Sequence, residues 1–249
     1  MTLLLAWPPA GAARAETRSS LAQAISALRG QYAEKSGVLF SQKTRKGLGA
    51  GAHLAVTHGK HRFAKAGVSA SDITETSTVG DGDSMPFRMI NLGRDTYTQT
   101  YFDTLPKGKK WNHWRDAEGF LWSQNLVDAL NPKFLQLISA SAKKAPTKDR
   151  YDGVRTSRYD GTVEVGSISS SQAGIHYSER EGFWDGGRVT WKLWLGPDNL
   201  PRRFQAEIVY EPYGAEQRAD TVRMNVLYRG WGTPVHITAP PKKLAVEAE

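Results

Sequence analysis

The sequence predicts an α+β fold: a large, curved, antiparallel β-sheet with α-helices covering one face. Two observations predict it. Apolar side chains recur at every second position through most of the chain, the pattern of a sheet with one dry and one wet face. Helical spacing of apolar residues is confined to two segments, one near the N-terminus and one after Asn131. The helices are then the cover for the apolar face of the sheet. No stretch has the composition of a linker, so residues 16–249 read as a single domain behind a separate segment 1–15.

That segment, MTLLLAWPPAGAARA, is expected to direct export. Ala13-Arg14-Ala15 has the small-x-small form of a signal-peptidase site, an apolar stretch precedes it and Glu16-Thr17-Arg18 follows. Pro8-Pro9 forbids a core helix there. The first helix is expected to open at Ser19 or Ser20 as N-cap, to carry Leu21, Ala24, Ile25 and Leu28 on one face, and to end at Gly37 after Lys35. Val38 and Phe40 begin a strand, and Leu54 and Val56 continue the sheet after the glycine-rich residues 47–51. His58-Gly59-Lys60-His61 reads as a hairpin with a two-residue turn. Phe87, Met89 and Asn91 alternate with Arg88, Ile90 and Leu92, and Gly93-Arg94-Asp95 turns the chain into the next strand.

Asn131 caps the second helix, with Pro132 in its first turn and Phe134, Leu135, Leu137 and Ile138 as its apolar stripe. Residues 166–188 are polar and aperiodic and read as a long excursion. Val189, Trp191, Leu193 and Leu195 then share a face, and Gly196-Pro197-Asp198-Asn199 is a strong turn. Phe204, Ala206, Ile208 and Tyr210 return on one face, and Val222, Met224, Val226 and Tyr228 repeat the pattern.

Composition removes several classes. The 8 Trp, 9 Tyr and 8 Phe supply a core and exclude intrinsic disorder. The longest apolar run, residues 3–7, falls far short of the ~20 that a membrane-spanning helix needs. With Cys 0 there is no disulfide, thiolate metal site, cysteine nucleophile or lipobox cysteine. The net charge of +8 favours anionic partners. Residues 107–115, KGKKWNHWR, interleave cations with tryptophans as single-stranded nucleic-acid surfaces and membrane interfaces do, but read better as a β-hairpin whose tryptophans close the sheet while the lysines stay wet. Nucleic acid is not an expected partner. His58 and His61, with His53 nearby, have no carboxylate between Glu34 and Asp72 to support a metal and are expected to be exposed. Asp81-Gly82-Asp83-Ser84 lacks the closing glutamate of a calcium loop, Glu179 and Glu181 read as solvated surface, and there is no G-x-S-x-G elbow. No catalytic, cofactor or metal residues are expected.

Several short motifs in succession carry a family resemblance. They are residues 131–141, NPKFLQLISAS; Tyr159-Asp160-Gly161-Thr162-Val163; residues 195–203, LGPDNLPRR; and residues 228–237, YRGWGTPVHI, followed by Ala239-Pro240-Pro241. Asp95-Thr96-Tyr97 and residues 105–111, LPKGKKW, belong to the same pattern. Together they resemble the LppX/LprG-type lipoproteins of actinobacterial envelopes and, more distantly, the carrier LolA. The resemblance implies a half-barrel of antiparallel strands around helices, enclosing a cavity for acyl chains. It implies a non-enzymatic carrier or sensor of lipid outside the cytoplasmic membrane, without cofactor. The positive charge adds an anionic membrane surface as a further expected partner, and the chain is expected to be a monomer. The missing cysteine implies a secreted or otherwise tethered form. The residues expected to line the ligand site are Val38, Phe40, Leu54, Val56, Val189, Trp191, Leu193, Phe204, Ile208, Val222, Met224, Val226 and Tyr228. The rival expectation is an envelope interaction protein in which the same faces pack solid. If residues 1–15 are an export signal, N-terminal sequencing of the exported chain reads from Glu16; a mature chain retaining Met1 overturns that expectation.

Overall fold

The computed structural model describes residues 10–32, 36–47, 51–79, 82, 84–100, 104–115, 127–142, 146–170, 186–211 and 220–248. Helix α1 (Ala10–Gly30) leads into a meander of β1 (Ser36–Lys46), β2 (His53–Ala64), β3 (Gly67–Val79), β4 (Met85–Leu92), β5 (Asp95–Thr100) and β6 (Trp111–Trp114). Helix α2 (Pro132–Ser141) connects to a second meander: β7 (Thr147–Tyr151), β8 (Val154–Glu164), the short α3 (Val165–Ser170), β9 (Gly187–Leu195), β10 (Pro201–Tyr210) and β11 (Asp220–Pro234). A strap follows β11 and ends in a 3-10 turn and β12 (Ala245–Glu247). These strands form one 12-stranded sheet in the order β12-β6-β5-β4-β3-β2-β1-β11-β10-β9-β8-β7. Every pairing is antiparallel except β12 with β6, and the sheet stays open. The two meanders are joined by a single ladder, β1 against β11.

The expected class is met, with corrections at the boundaries. Helix α1 starts at Ala10 rather than Ser19 or Ser20 and runs through Ala13-Arg14-Ala15, in keeping with the high helix propensity of its alanines. It ends at Gly30, where Gln31 and Tyr32 N–H groups close on the Leu28 and Arg29 carbonyls. Gly37 lies inside β1 instead of ending the helix. Leu21, Ala24 and Leu28 are fully buried, as the spacing predicts. Helix α2 begins as expected: Asn131 Oδ1 accepts from the Lys133 N–H at 2.9 Å, Pro132 sits in the first turn, and Phe134, Leu135 and Ile138 are buried. Helix α3 falls at the start of the expected excursion and buries Ile168; residues 171–185, with Glu179 and Glu181, lie outside the described residues. Asp81 and Asp83 also lie outside them.

The expected hairpin at His58-Gly59-Lys60-His61 is not a turn. All four residues sit in the middle of β2, paired with β1 on one side and β3 on the other. Gly59 is there because Phe40 packs across it, 2.6 Å from where a Cβ would stand. His58 is exposed, whereas His61 is partly buried, stacks on Phe40 at 4.5 Å and shares a 2.8 Å hydrogen bond with Ser71 Oγ. Strand alternation sends the two histidines to opposite faces, so they cannot share a metal.

The sheet has a separate small core on its outer face. Ala70, Ile90, Trp111, Val235 and Ile237 pack together there, with Leu92, Tyr97, Leu244 and Ala245 against them. The strap after β11 therefore covers the outer side of β3–β6. Trp111 is buried as the sequence suggested, Arg88 lies over its ring at 5.5 Å, and Lys109 Nζ donates to the Ala245 carbonyl at 2.7 Å. Among the described residues, no helix is long and apolar enough to cross a membrane.

Trp191, the largest fully buried side chain, shows how tightly helix and sheet meet. Its indole lies over Gly161 of β8, and its Nε1 donates to Ser141 Oγ at 3.3 Å. A Cβ on Gly161 would stand 2.6 Å from the indole and 2.8 Å from the Ser141 carbonyl. Gly161→Val is expected to lower stability by roughly 1–3 kcal/mol in chemical denaturation. An unchanged denaturation midpoint would show that this contact is not tight.

Candidate functional site

The candidate site is the inner face of the sheet, the one under α1 and α2. Directly paired residues point to the same face, so the ladders define rows that cross it. One row runs Tyr159, Leu193, Phe204, Val226, Gln42, Thr57, Glu75 and Phe87, from β8 to β4. The next runs Gly161, Trp191, Ala206, Met224, Thr44, Ala55 and Ser77. A third runs Tyr228, Phe40, Gly59, Ile73, Met89 and Thr98, and a fourth Val38, His61, Ser71, Asn91 and Thr96.

The chemistry of these rows changes at β1. On the β8–β11 side they are apolar, and Val189, Trp191, Leu193, Phe204, Ile208, Val222, Met224, Val226 and Tyr228 join Val38 in one buried cluster, with Phe40 packed against it. Helices α1 and α2 contribute Leu21, Leu28, Phe134, Leu135 and Ile138 to the same cluster, and Phe134 meets Phe204 edge-on at 5.7 Å. Leu54 and Val56 are the exceptions among the expected lining residues. They pair with Arg45 and Lys43 on the outer face and are 43% and 38% exposed. Ala55 and Thr57 take the inner positions.

On the β2–β5 side the inner face mixes buried apolar residues, Ala55, Ile73 and Met89, with polar ones that are equally shielded from water. Thr57, Ser71, Glu75, Ser77, Asn91, Thr96 and Thr98 are all buried there. The sequence pattern missed this half. Buried polar groups need partners, and several find them across the strands. Thr57 Oγ1 donates to Glu75 Oε2 at 2.9 Å, Asn91 Nδ2 to Thr96 Oγ1 at 3.1 Å, and Trp114 Nε1 to Thr98 Oγ1 at 3.0 Å. Burial raises the Glu75 carboxyl, opposed by the Thr57 hydrogen bond and the neighbouring His53. The face as a whole offers hydroxyl, amide and carboxyl groups on one side and aromatic and aliphatic groups on the other.

The Ser71–His61 pair has the geometry with which a nucleophile–base dyad begins. Burial holds His61 down at about 4, so its ring is neutral and a weak base near neutral pH. Among the described residues no carboxylate hydrogen-bonds this ring to orient it. The pair is a structural hydrogen bond. Among the described residues no group of three or more His, Cys, Asp or Glu stands close enough to hold a metal.

Where the helices meet the sheet, Tyr32, Asp128 and Tyr228 form a titratable cluster. Tyr32 donates to the Leu130 carbonyl at 2.7 Å, and burial, with Asp128 adding, raises its phenol. Burial raises Tyr228 as well, again with Asp128 adding. Burial also pushes the Asp128 carboxyl up to about 6, against the hydrogen bond it accepts from the Leu130 N–H at 2.8 Å. A separate cavity of about 310 Å³ lies at the strand ends. Tyr151, Trp231 and two ion pairs, Arg229–Asp152 at 3.2 Å and Arg202–Asp198 at 2.5 Å, line it, so it is a polar rim rather than an apolar hollow.

The architecture is shared with LprF from Mycobacterium bovis, which superimposes with a TM-score of 0.51 at 15% sequence identity, covering 91% of this chain and 97% of that one. A LolA superfamily protein from Nitrosomonas europaea aligns over 92% of this chain and 96% of its own at 12% identity, with a TM-score of 0.30. A DUF1329 family protein from Desulfovibrio piger aligns over 90% and 95% at 11% identity, with a TM-score of 0.28. The last two diverge too far in path to support an argument. No family model and no curated protein matches the sequence. The resemblance to LppX/LprG-type, LolA-like proteins thus holds at the level of fold, a large open antiparallel sheet with few helices.

Asp128 and His61 pull stability in opposite directions as pH changes. The folded state keeps a proton on Asp128 that the unfolded chain gives up, so its contribution is present below about pH 4 and lost as pH rises through 6. His61 stays neutral in the fold, so its contribution is present above about pH 6.5 and lost as pH falls toward 4. Asp128→Asn keeps an acceptor for the Leu130 N–H and removes the carboxyl titration. In urea denaturation the variant is expected to exceed the parent by about 1–2 kcal/mol near pH 7.5, to match it below about pH 4, and to show a steeper acid loss. A difference that does not vary with pH would rule this out.

Proposed function

We propose that this protein is a non-enzymatic binder of an amphiphilic lipid, held on the inner face of the sheet and working outside the cytoplasmic membrane. The observation that carries the reading is the two-sided inner face. Apolar rows from β8 to β11 suit an acyl chain, and the shielded hydroxyl and amide groups of β2–β5 suit the polar part of the same molecule. The fold shared with LprF and the motifs that resemble LppX/LprG-type lipoproteins support it. The protein is read as a secreted or otherwise tethered monomer, with residues 1–15 as its export segment.

One observation favours the rival, an envelope interaction protein with a solid interior. Phe204, Leu193 and Trp191 are fully buried against Phe134, Leu135 and Ile138 of α2, as residues of a packed core would be. Opening a channel there requires the helices to move off the sheet.

Val226 separates the two readings, because it stands where the apolar and polar halves meet, between Phe204 and Gln42. Native mass spectrometry of the purified protein is expected to show a lipid adduct that denaturation releases. Val226→Trp is expected to keep the parent's melting temperature and to lose most of that adduct, since the indole fills volume the lipid needs. A parent without adduct that also fails to bind a fluorescent acyl probe, with a variant destabilised by roughly 1–3 kcal/mol through overpacking, overturns lipid binding in favour of the packed interior.

A further inference from the structure

We propose that the outer face of the β1–β2 hairpin docks onto an anionic lipid bilayer. Among the described residues, the large hydrophobic side chains most exposed are Leu39, Leu54, Val56 and Val154, and the first three share the outer face of these two neighbouring strands. Leu54 and Val56 are successive outward residues of β2, so their side chains stand about 7 Å apart. Their partners across the ladder are basic: Arg45 opposite Leu54 and Lys43 opposite Val56. One strand further, Arg223 stands opposite Arg45 and Asn225 opposite Lys43. Toward the other end, Leu39 lies between Lys60 and Arg229.

Each apolar residue therefore stands beside a base, in two groups on one face with the polar pair Ser41 and His58 between them. Among the described residues, Glu207 pairs with Arg223 at 2.7 Å, Asp152 pairs with Arg229, and Asp72 is shared between Lys60 at 3.7 Å and Arg88 at 3.3 Å, while Arg45 is itself engaged. Lys43 and Arg45, next to the apolar pair, are both exposed. In sequence, residues 47–52, which join the strands beside Leu54, read GLGAGA and add no charge.

This chemistry selects the occupant. A bilayer rich in anionic headgroups attracts lysine and arginine while its interfacial layer accepts leucine and valine side chains. The net charge of +8 acts in the same direction over longer range. A second copy of this chain is disfavoured, because a two-fold contact through the strip would set Lys43 and Arg45 against their own equivalents. The inference does not depend on what the inner face holds.

Cosedimentation with vesicles of phosphatidylcholine alone, or mixed with phosphatidylglycerol, tests it. The protein is expected to pellet with the mixed vesicles, to stay in solution with the neutral ones, and to be released by high salt. Lys43→Glu/Arg45→Glu and Leu54→Gln/Val56→Gln are each expected to weaken that binding by roughly tenfold or more. Lys148→Glu/Arg150→Glu on the edge strand β7 makes the same charge change elsewhere and is expected to leave most of it intact. All three variants should keep the parent's melting temperature and its adduct in native mass spectrometry, which separates this surface from the inner face. Absent binding to anionic vesicles by folded protein would overturn the proposal. So would equal losses in the β7 and hairpin variants, or sedimentation-velocity dimers that Leu54→Gln/Val56→Gln dissolves.

Discussion

The ladder between β1 and β11 is the constraint on which this molecule depends. Two meanders that could each pair internally become one sheet only where Ser36–Lys46 lies along Asp220–Pro234. The pairing runs over almost the whole of β1, with one register shift between Gly37 and Leu39. It also fixes the position of the helices, since α1 precedes β1 and α2 bridges the meanders from β6 to β7. Closing so long a loop carries an entropic cost that the contacts of this ladder must offset. Lose it, and the rows that cross the inner face are cut at the line where their chemistry changes.

That line explains the balance of forces around the helices. On the β8–β11 side, burial of aromatic and aliphatic surface provides the stabilising term, and Trp191, Phe204 and Phe134 illustrate it. On the β2–β5 side, the buried groups contribute little by themselves, and hydrogen bonds such as Thr57–Glu75 and Asn91–Thr96 mainly offset the cost of removing them from water. A fold optimised only for stability would not place Glu75 in a shielded position. Polar groups kept at that cost are a mark of selection for something other than packing.

What could be read from the sequence follows the same division. Strands β9, β10 and β11 alternate between strongly apolar and polar residues, and their faces were assigned correctly from spacing alone. The cap at Asn131 and the turn at residues 196–199 were equally plain, the latter with Asn199 at φ 60°. Strand β3, GVSASDITETSTV, is polar on both faces, so a period-two reading has no contrast to find. Leu54 and Val56 misled for a related reason: between them and after them the small Ala55 and the polar Thr57 point in, so two large apolar residues mark the outer face. The glycine between His58 and Lys60 imitates a turn, while its cause is the Phe40 ring on the next strand. Local sequence records a strand's own contrast, but not the ring that crosses it from a neighbour.

The strap after β11 gives the open sheet an unusual ending. An unpaired strand edge is a template for another chain, and β6 would be such an edge, short and bounded by Trp111 and Trp114. Residues of β12 occupy it instead: Ala245, Val246 and Glu247 pair alongside Trp111, Asn112 and His113. The opposite edge, β7, has no such cover among the described residues and carries Lys148, Asp149 and Arg150 in succession. One edge thus carries charge, and the other is continued by the three residues of β12, so that the sheet ends there on a strand shorter than β6. Losing β12 would uncover Trp111 and the apolar residues packed with it on the outer face.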